Sequence, residues 1–206
     1  MKILQGIGKR MSPERWRKNM RDTIIIVEGP QGTGKTTVTN YLREKMSATD
    51  LYRLSGIKDR EETGKEKIKV KYEKLLEYVD SCQDINMIFD RNFFSNEVYA
   101  RLGYQKYSFS DVYEKLLQKL DSVDADIYLV VLYLEDEEEF ARRLKRDKHE
   151  YQKFEVESSV IQQKEYLKLA SEVEKQTKNI KVIRFKCDND GKFEERMQEY
   201  FGYLFE

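Results

Sequence analysis

Ile24-Ile25-Ile26-Val27-Glu28-Gly29-Pro30-Gln31-Gly32-Thr33-Gly34-Lys35-Thr36-Thr37 carries four β-branched residues into a glycine-rich turn and then into a helical pattern. Gly29 to Thr36 fits G-x-x-x-x-G-K-[ST], the phosphate-binding P-loop. Glycines let successive backbone N–H groups bend around a phosphate chain, and a helix N-terminus adds partial positive charge at the same place. A chance glycine-rich turn would lack the strand before it and the helix after it. The pattern therefore predicts a nucleoside triphosphate held by Gly29, Pro30, Gln31, Gly32, Thr33, Gly34, Lys35, Thr36 and Thr37. Lys35 is expected to reach the β- and γ-phosphates, and the Thr36 hydroxyl to bind Mg²⁺.

Outward from that run, composition narrows the class. The chain has 206 residues, enough for one domain with a substantial core. Lysine plus arginine and aspartate plus glutamate both number 38, so no net field draws the chain to nucleic acid or a membrane. The two prolines are Pro13 and Pro30, and a chain so poor in helix breakers is expected to hold long, solvated helices. Cys82 and Cys187 lie far apart with no metal-ligand spacing, which reads as free thiols in a reducing cytoplasm. No apolar run is long enough to cross a bilayer, and the first residues lack the apolar core of a signal peptide.

Residues 1–22 form a basic N-terminal extension. Ser12-Pro13-Glu14 reads as a helix start, with Trp16 and Met20 on one face of a short helix. Packing on the domain, contact with a partner subunit, contact with RNA and plain disorder all remain open for it. Residues 23–206 form the nucleotide-binding domain. Four apolar runs, 23–27, 85–89, 127–134 and 180–185, recur between helical patterns, with a weaker one at 51–54. Strands alternating with helices imply crossover units and a parallel sheet covered on both faces. Helices are expected from Lys35 to about Met46, through Ile68–Val79, through Val112–Leu120 with Ser110 or Asp111 as cap, from the acidic run Glu135–Glu139, through Val156–Val173, and through Phe193–Leu204. The acidic run also has the look of a metal site, but acids suit the positive end of a helix dipole. The polar stretches 55–67 and 146–153 read as an acceptor-side loop and a mobile lid.

Two further clusters bear chemistry. Met87-Ile88-Phe89-Asp90-Arg91 places an acid at the end of an apolar strand, where Mg²⁺ or its waters would be held, and an arginine directly after it. Ligands bind outside the carboxyl ends of parallel strands, and a guanidinium there clamps a phosphate with a planar fork of donors. A structural Asp–Arg pair is the alternative, disfavoured by convergence with the P-loop on one sheet edge. Arg142, Arg143, Lys145, Arg146 and Lys148 form the other cluster. Arg142 and Arg146 share a helix face, placed to close over a transferring phosphoryl group. A solvated basic helix end is its plainer reading.

These residues together resemble the thymidylate kinase family. Glu28 to Thr37 is similar to that family's E-G-x-D-G-x-G-K-T-T, and Asp90 to Tyr99 to its D-R-Y-x-x-S-x-x-A-Y. Arg142 to Glu155 with Tyr166-Leu167-Lys168-Leu169-Ala170 resembles its lid and following helix. The resemblance spans about residues 23–175, with the lid at about 142–153. It implies a P-loop α/β/α fold with a five-stranded parallel sheet. It also implies ATP- and Mg²⁺-dependent phosphoryl transfer to a deoxynucleoside monophosphate, usually dTMP. By position, Lys35, Arg91, Arg142 and Arg146 would be catalytic, and Thr36 and Asp90 would serve the metal. Glu28, Gln31, Arg53, Arg91, Phe94, Tyr99 and Tyr104 would line the acceptor site, with Phe93 as a further aromatic. Related kinases often dimerise, so a homodimer is expected, with no membrane and no nucleic-acid partner. Three departures touch the thymidine-reading parts. Gln31 replaces an aspartate, Ala100 stands where a glutamine is frequent, and Gln152-Lys153 replace an Asp-Arg pair.

A deoxynucleoside kinase is the nearest rival. It phosphorylates a neutral hydroxyl and benefits from a general base, which that family places at the end of the second strand. Here Leu51-Tyr52-Arg53-Leu54-Ser55 offers a cation instead. A monophosphate acceptor is already anionic and wants cations. Glu28 stays available as a base and keeps the rival open. A non-catalytic or nucleic-acid-linked NTP-binding protein is the third reading. No N-K-x-D base-reading motif of a GTPase is present, and only the basic extension hints at nucleic acid.

Overall fold

Ile24 to Val27 are β-branched and wholly buried, which suits a strand packed on both faces. They form the centre of β1 (Thr23–Glu28). The computed structural model of the chain describes residues 21–146 and 155–205. After β1 come α1 (Lys35–Lys45), β2 (Thr49–Arg53), α2 (Glu62–Ser81), β3 (Asn86–Asp90), α3 (Phe93–Arg101) and α4 (Ser110–Asp121). Then follow β4 (Asp126–Tyr133), α5 (Glu137–Arg146), α6 (Val156–Gln176), β5 (Ile180–Lys186) and α7 (Phe193–Phe201), with a 3-10 turn at Gly202–Leu204.

The five strands form one parallel sheet in the order β2-β3-β1-β4-β5. This is the expected P-loop α/β architecture. Alternate side chains supply two cores. Ile24, Ile26, Phe89 and Leu129 face α2, α3, α4 and α6, while Ile25, Val27, Ile88 and Val130 face α1, α5 and α7. After β3 the chain crosses β1 to reach β4, so the sheet's switch point lies at the carboxyl end of β1, the place where open α/β sheets bind ligands. Register puts Val27 beside Asp90 and Asp90 beside Arg53, so the motif-bearing strand ends share one rim.

The structure bears on several sequence expectations. α3 was not foreseen; Phe93 to Val98 are all buried, so the segment shows no amphipathic stripe. The polar stretch 55–67 is a loop only to Glu61, since α2 starts at Glu62. The N-cap of α4 is Phe109, not Ser110 or Asp111, and the Ser110 hydroxyl instead donates to Glu97 Oε1 at 2.9 Å. The acidic run 135–139 enters the first turn of α5, and no group of three or more His, Cys, Asp or Glu is placed to hold a metal ion among the described residues. Cys82 and Cys187 are free thiols. No helix of the described residues is long and apolar enough to cross a membrane. The helix expected at Ser12–Met20 and the lid residues 147–153 lie outside the described residues.

Candidate active site

The loop after β1 turns on glycines with positive φ: Gly29 at 143°, Gly32 at 88° and Gly34 at 94°. A Cβ on Gly29 would sit 2.9 Å from the Leu132 carbonyl oxygen, so the close approach of loop and β4 requires glycine there. Gly34 is the N-cap of α1 and no side chain caps it, which leaves the first N–H groups of the helix to a ligand. Thr33 Oγ1 donates to the Pro30 carbonyl at 2.9 Å and braces the turn. Lys35 Nζ is folded into the loop, donating to the carbonyls of Gly29 at 2.9 Å and Pro30 at 2.6 Å. Burial, reinforced by the nearby Arg91 cation, lowers its pKa to about 7. A polyphosphate in the cradle would restore its charge. Gln31 is half-buried, and Thr36 and Thr37 are exposed at the mouth.

Thr36 Oγ1 lies 3.5 Å from Asp90 Oδ2. A hydroxyl beside a buried carboxylate is a hard-oxygen pair suited to Mg²⁺ and its waters. These two residues fit the ion that the P-loop implies.

Beside them lies a polar network spanning β1, α3 and α6. Arg91 has φ 73°, a left-handed conformation that costs a non-glycine residue about 1 kcal/mol or more and marks functional sites. Its N–H donates to the Val27 carbonyl at 3.0 Å. Its guanidinium donates to Tyr99 OH at 2.9 Å and approaches Ser95 Oγ at 3.4 Å. Glu28 is fully buried and accepts from the Asn92 N–H and from Ser95 Oγ, both at 2.6 Å. Burial raises its pKa to about 7, opposed by the Ser95 hydrogen bond and the Arg91 charge. Tyr166 on α6 closes the chain, its hydroxyl 2.9 Å from Ser95 Oγ.

The other expected residues fall into place unevenly. Arg53 stands exposed at the end of β2 and donates to Asn40 on α1, so it turns to the opposite face of the sheet from Arg91. Tyr99 and Tyr104 lie 5.8 Å apart, ring centre to ring centre, on the Arg91 side. Phe93 and Phe94 are wholly buried and stacked on each other at 4.5 Å, so both rings are core. Arg142 does not reach the loop: its side chain is 55% exposed and pairs with Asp136, Glu138 and Glu139. Arg146 is exposed at the last position of α5. Arg143, only 13% exposed, is the arginine that leans on the cradle. It donates to the Gly32 carbonyl at 3.2 Å and to the Cys187 carbonyl, while Glu139 Oε1 accepts from its Nε at 2.8 Å. Sequence spacing held the signal for this: Arg143 lies about 60° from Phe140 on the helix wheel, and Arg142 about 160° away.

Comparison with known proteins agrees with this fold. Among solved structures, thymidylate kinase from Candida albicans superposes with a TM-score of 0.64 at 14% identity, covering 89% of this chain and 92% of that one. Deoxyadenosine kinase from M. mycoides with bound dATP gives 0.61 at 14% identity, covering 88% and 98%. Shikimate kinase from Acinetobacter baumannii gives 0.51 at 15% identity, covering 93% and 97%. A sequence search of the curated proteins finds no match. Residues 25–165, more than half of the chain, match the family described as an AAA domain. The chain therefore belongs to the AAA domain family, and its fold is that of the thymidylate kinase-like P-loop kinases.

Proposed function

We propose that the protein transfers the γ-phosphoryl group of ATP to a (deoxy)nucleoside monophosphate, with Mg²⁺, a dTMP-like nucleotide being the favoured acceptor. Arg91 is the observation that carries this reading. A guanidinium is fixed in a strained backbone conformation beside the P-loop lysine, with Tyr99 and Ser95 aiming it. A cation so placed suits an acceptor that arrives with its own phosphate.

The loop N–H groups and Lys35 would hold the β- and γ-phosphates, and Thr36 and Asp90 would hold the metal, which when bound would neutralise phosphate charge. Arg91 orients the acceptor phosphate so that one of its oxygens attacks the γ-phosphorus as the bond to the β-bridging oxygen breaks. ADP leaves and no proton need be removed from the nucleophile. Arg143, through Gly32, holds the shape of the cradle. Catalysis is then positioning and charge stabilisation.

A second reading, a nucleoside hydroxyl as acceptor, draws on Glu28, whose pKa near 7 would suit a base. Both oxygens of that carboxylate are already engaged and the side chain is wholly buried, which favours a structural role. An ATP-consumption screen against the common nucleosides and their monophosphates separates the two. Turnover with a monophosphate and none with nucleosides is expected; turnover confined to nucleosides would reverse the assignment, and none at all would leave a binding protein.

A further inference from the structure

Gln162 on α6 is wholly buried, and neither its Nε2 nor its Oε1 has a hydrogen-bond partner among the described residues. It is the one carboxamide there whose nitrogen and oxygen are both unmatched. Ser159, three residues earlier on the same face, is also wholly buried with an unmatched hydroxyl. Folding alone gives no reason for this, since an apolar residue of the same shape would serve the core better. Chains break that rule chiefly where a ligand completes the set.

The course of α6 shows where Gln162 stands. Its last turn leads to Lys178 and Asn179, whose N–H groups donate to Asp121 at the end of α4, and β5 begins at Ile180. So α6 runs from the ligand side of the sheet down to the opposite edge. Tyr166, one turn after Gln162, is level with Ser95 and hence with Arg91. Gln163 exchanges two hydrogen bonds with the Leu134 backbone just past the end of β4, at 2.8 and 2.9 Å. Gln162, one turn before Tyr166, therefore lies above the strand ends, on the helix that packs on α3, which carries Tyr99.

We infer that Gln162 reads the nucleobase of the acceptor, pairing its carboxamide with the base edge on the Tyr99 and Arg91 side of the crevice. A phosphate offers only acceptors and would leave Oε1 unmatched. A base edge presents a donor beside an acceptor and satisfies both atoms. The inference rests on the kinase reading proposed above.

The test compares the full-length protein with Gln162→Leu, measuring melting temperature and initial rates with ATP and dTMP, dCMP, dAMP or dGMP. The variant is expected to melt no lower than the parent. Its KM for the preferred acceptor should rise about tenfold with the KM for ATP unchanged, and the preference over the next acceptor should narrow. Unchanged acceptor kinetics in a stabilised variant would overturn the inference and leave Gln162 a polar core residue. An equal loss for all four acceptors, or a change only between ribo- and deoxyribonucleotides, would also contradict base reading. Should Gln162→Leu fail to fold, Gln162→Met, close in volume, carries the same expectations. If the parent turns over no acceptor, the kinase reading fails and this inference falls with it. An active parent with an indifferent variant sinks the inference alone.

Discussion

The proposed donor half of the site and its proposed acceptor half are built in opposite ways. The donor half comes almost entirely from one continuous stretch, Gly29 to Thr37, with Arg143 as its outside support. The proposed acceptor half is assembled from the end of β3, α3 and α6, and its polar groups answer mainly to one another. Arg91 leans on Tyr99 and Ser95, Ser95 on Glu28, and Tyr166 on Ser95. A phosphate chain has the same shape in every triphosphate, so a local motif can bind it. An acceptor must be singled out, and that takes groups converging from several elements.

Mutations test that contrast in order of size. Lys35→Ala should lower kcat/KM for ATP by about three orders of magnitude, through loss of a charge on the transferring group. Near-normal steady-state rates would break the donor assignment. Arg91→Ala should lower kcat/KM for the acceptor by about two orders of magnitude with the KM for ATP little changed. Arg53→Ala, whose side chain turns to Asn40, should cost about tenfold or less. Equal effects at the two arginines would show that both sit on the acceptor phosphate. Arg143→Ala should raise the KM for ATP about tenfold, while Arg142→Ala, an exposed side chain, should leave it within about twofold.

Glu28 acts on stability, not on rate, and its effect is read by pH. Its pKa is 4.5 in the reference state and about 7 in the fold. Between those values the native chain holds a proton that the unfolded chain has released. Its contribution to stability is therefore full below about pH 4.5 and lost as pH rises through 7, on the order of 3 kcal/mol in all. Thermal melts should fall in that window, and Glu28→Gln should flatten the slope. A parent whose melting temperature is level from pH 5 to 8 would refute the burial argument.

The same contrast explains what could be read from the chain. Strands with β-branched runs and helices with apolar stripes stand out because one period dominates each, so the sheet and most helices were legible. α3 was not, since Phe93 to Val98 are buried all round. The P-loop was legible because its spacing is its geometry. Phe94 misled because an aromatic beside a motif has the same letter whether it faces a base or the core. Arg142 and Arg143 are neighbours in sequence yet point about 100° apart, so only the direction of the Phe140–Leu144 stripe tells them apart. Gln162 carried no signal, because a polar letter in a helical pattern reads as surface until burial is known.

The central claim is that a cationic rim brings two anionic nucleotides end to end. The direct measurement is the affinity of adenosine joined through its 5′ oxygen to thymidine by five phosphates, against ATP alone and against the four-phosphate analogue. The account predicts that the five-phosphate compound binds at least about a hundredfold more tightly than ATP, since one molecule then fills both halves. Arg91→Ala should abolish most of that gain. A five-phosphate compound that binds no better than ATP, or a four-phosphate one that binds better, would contradict it.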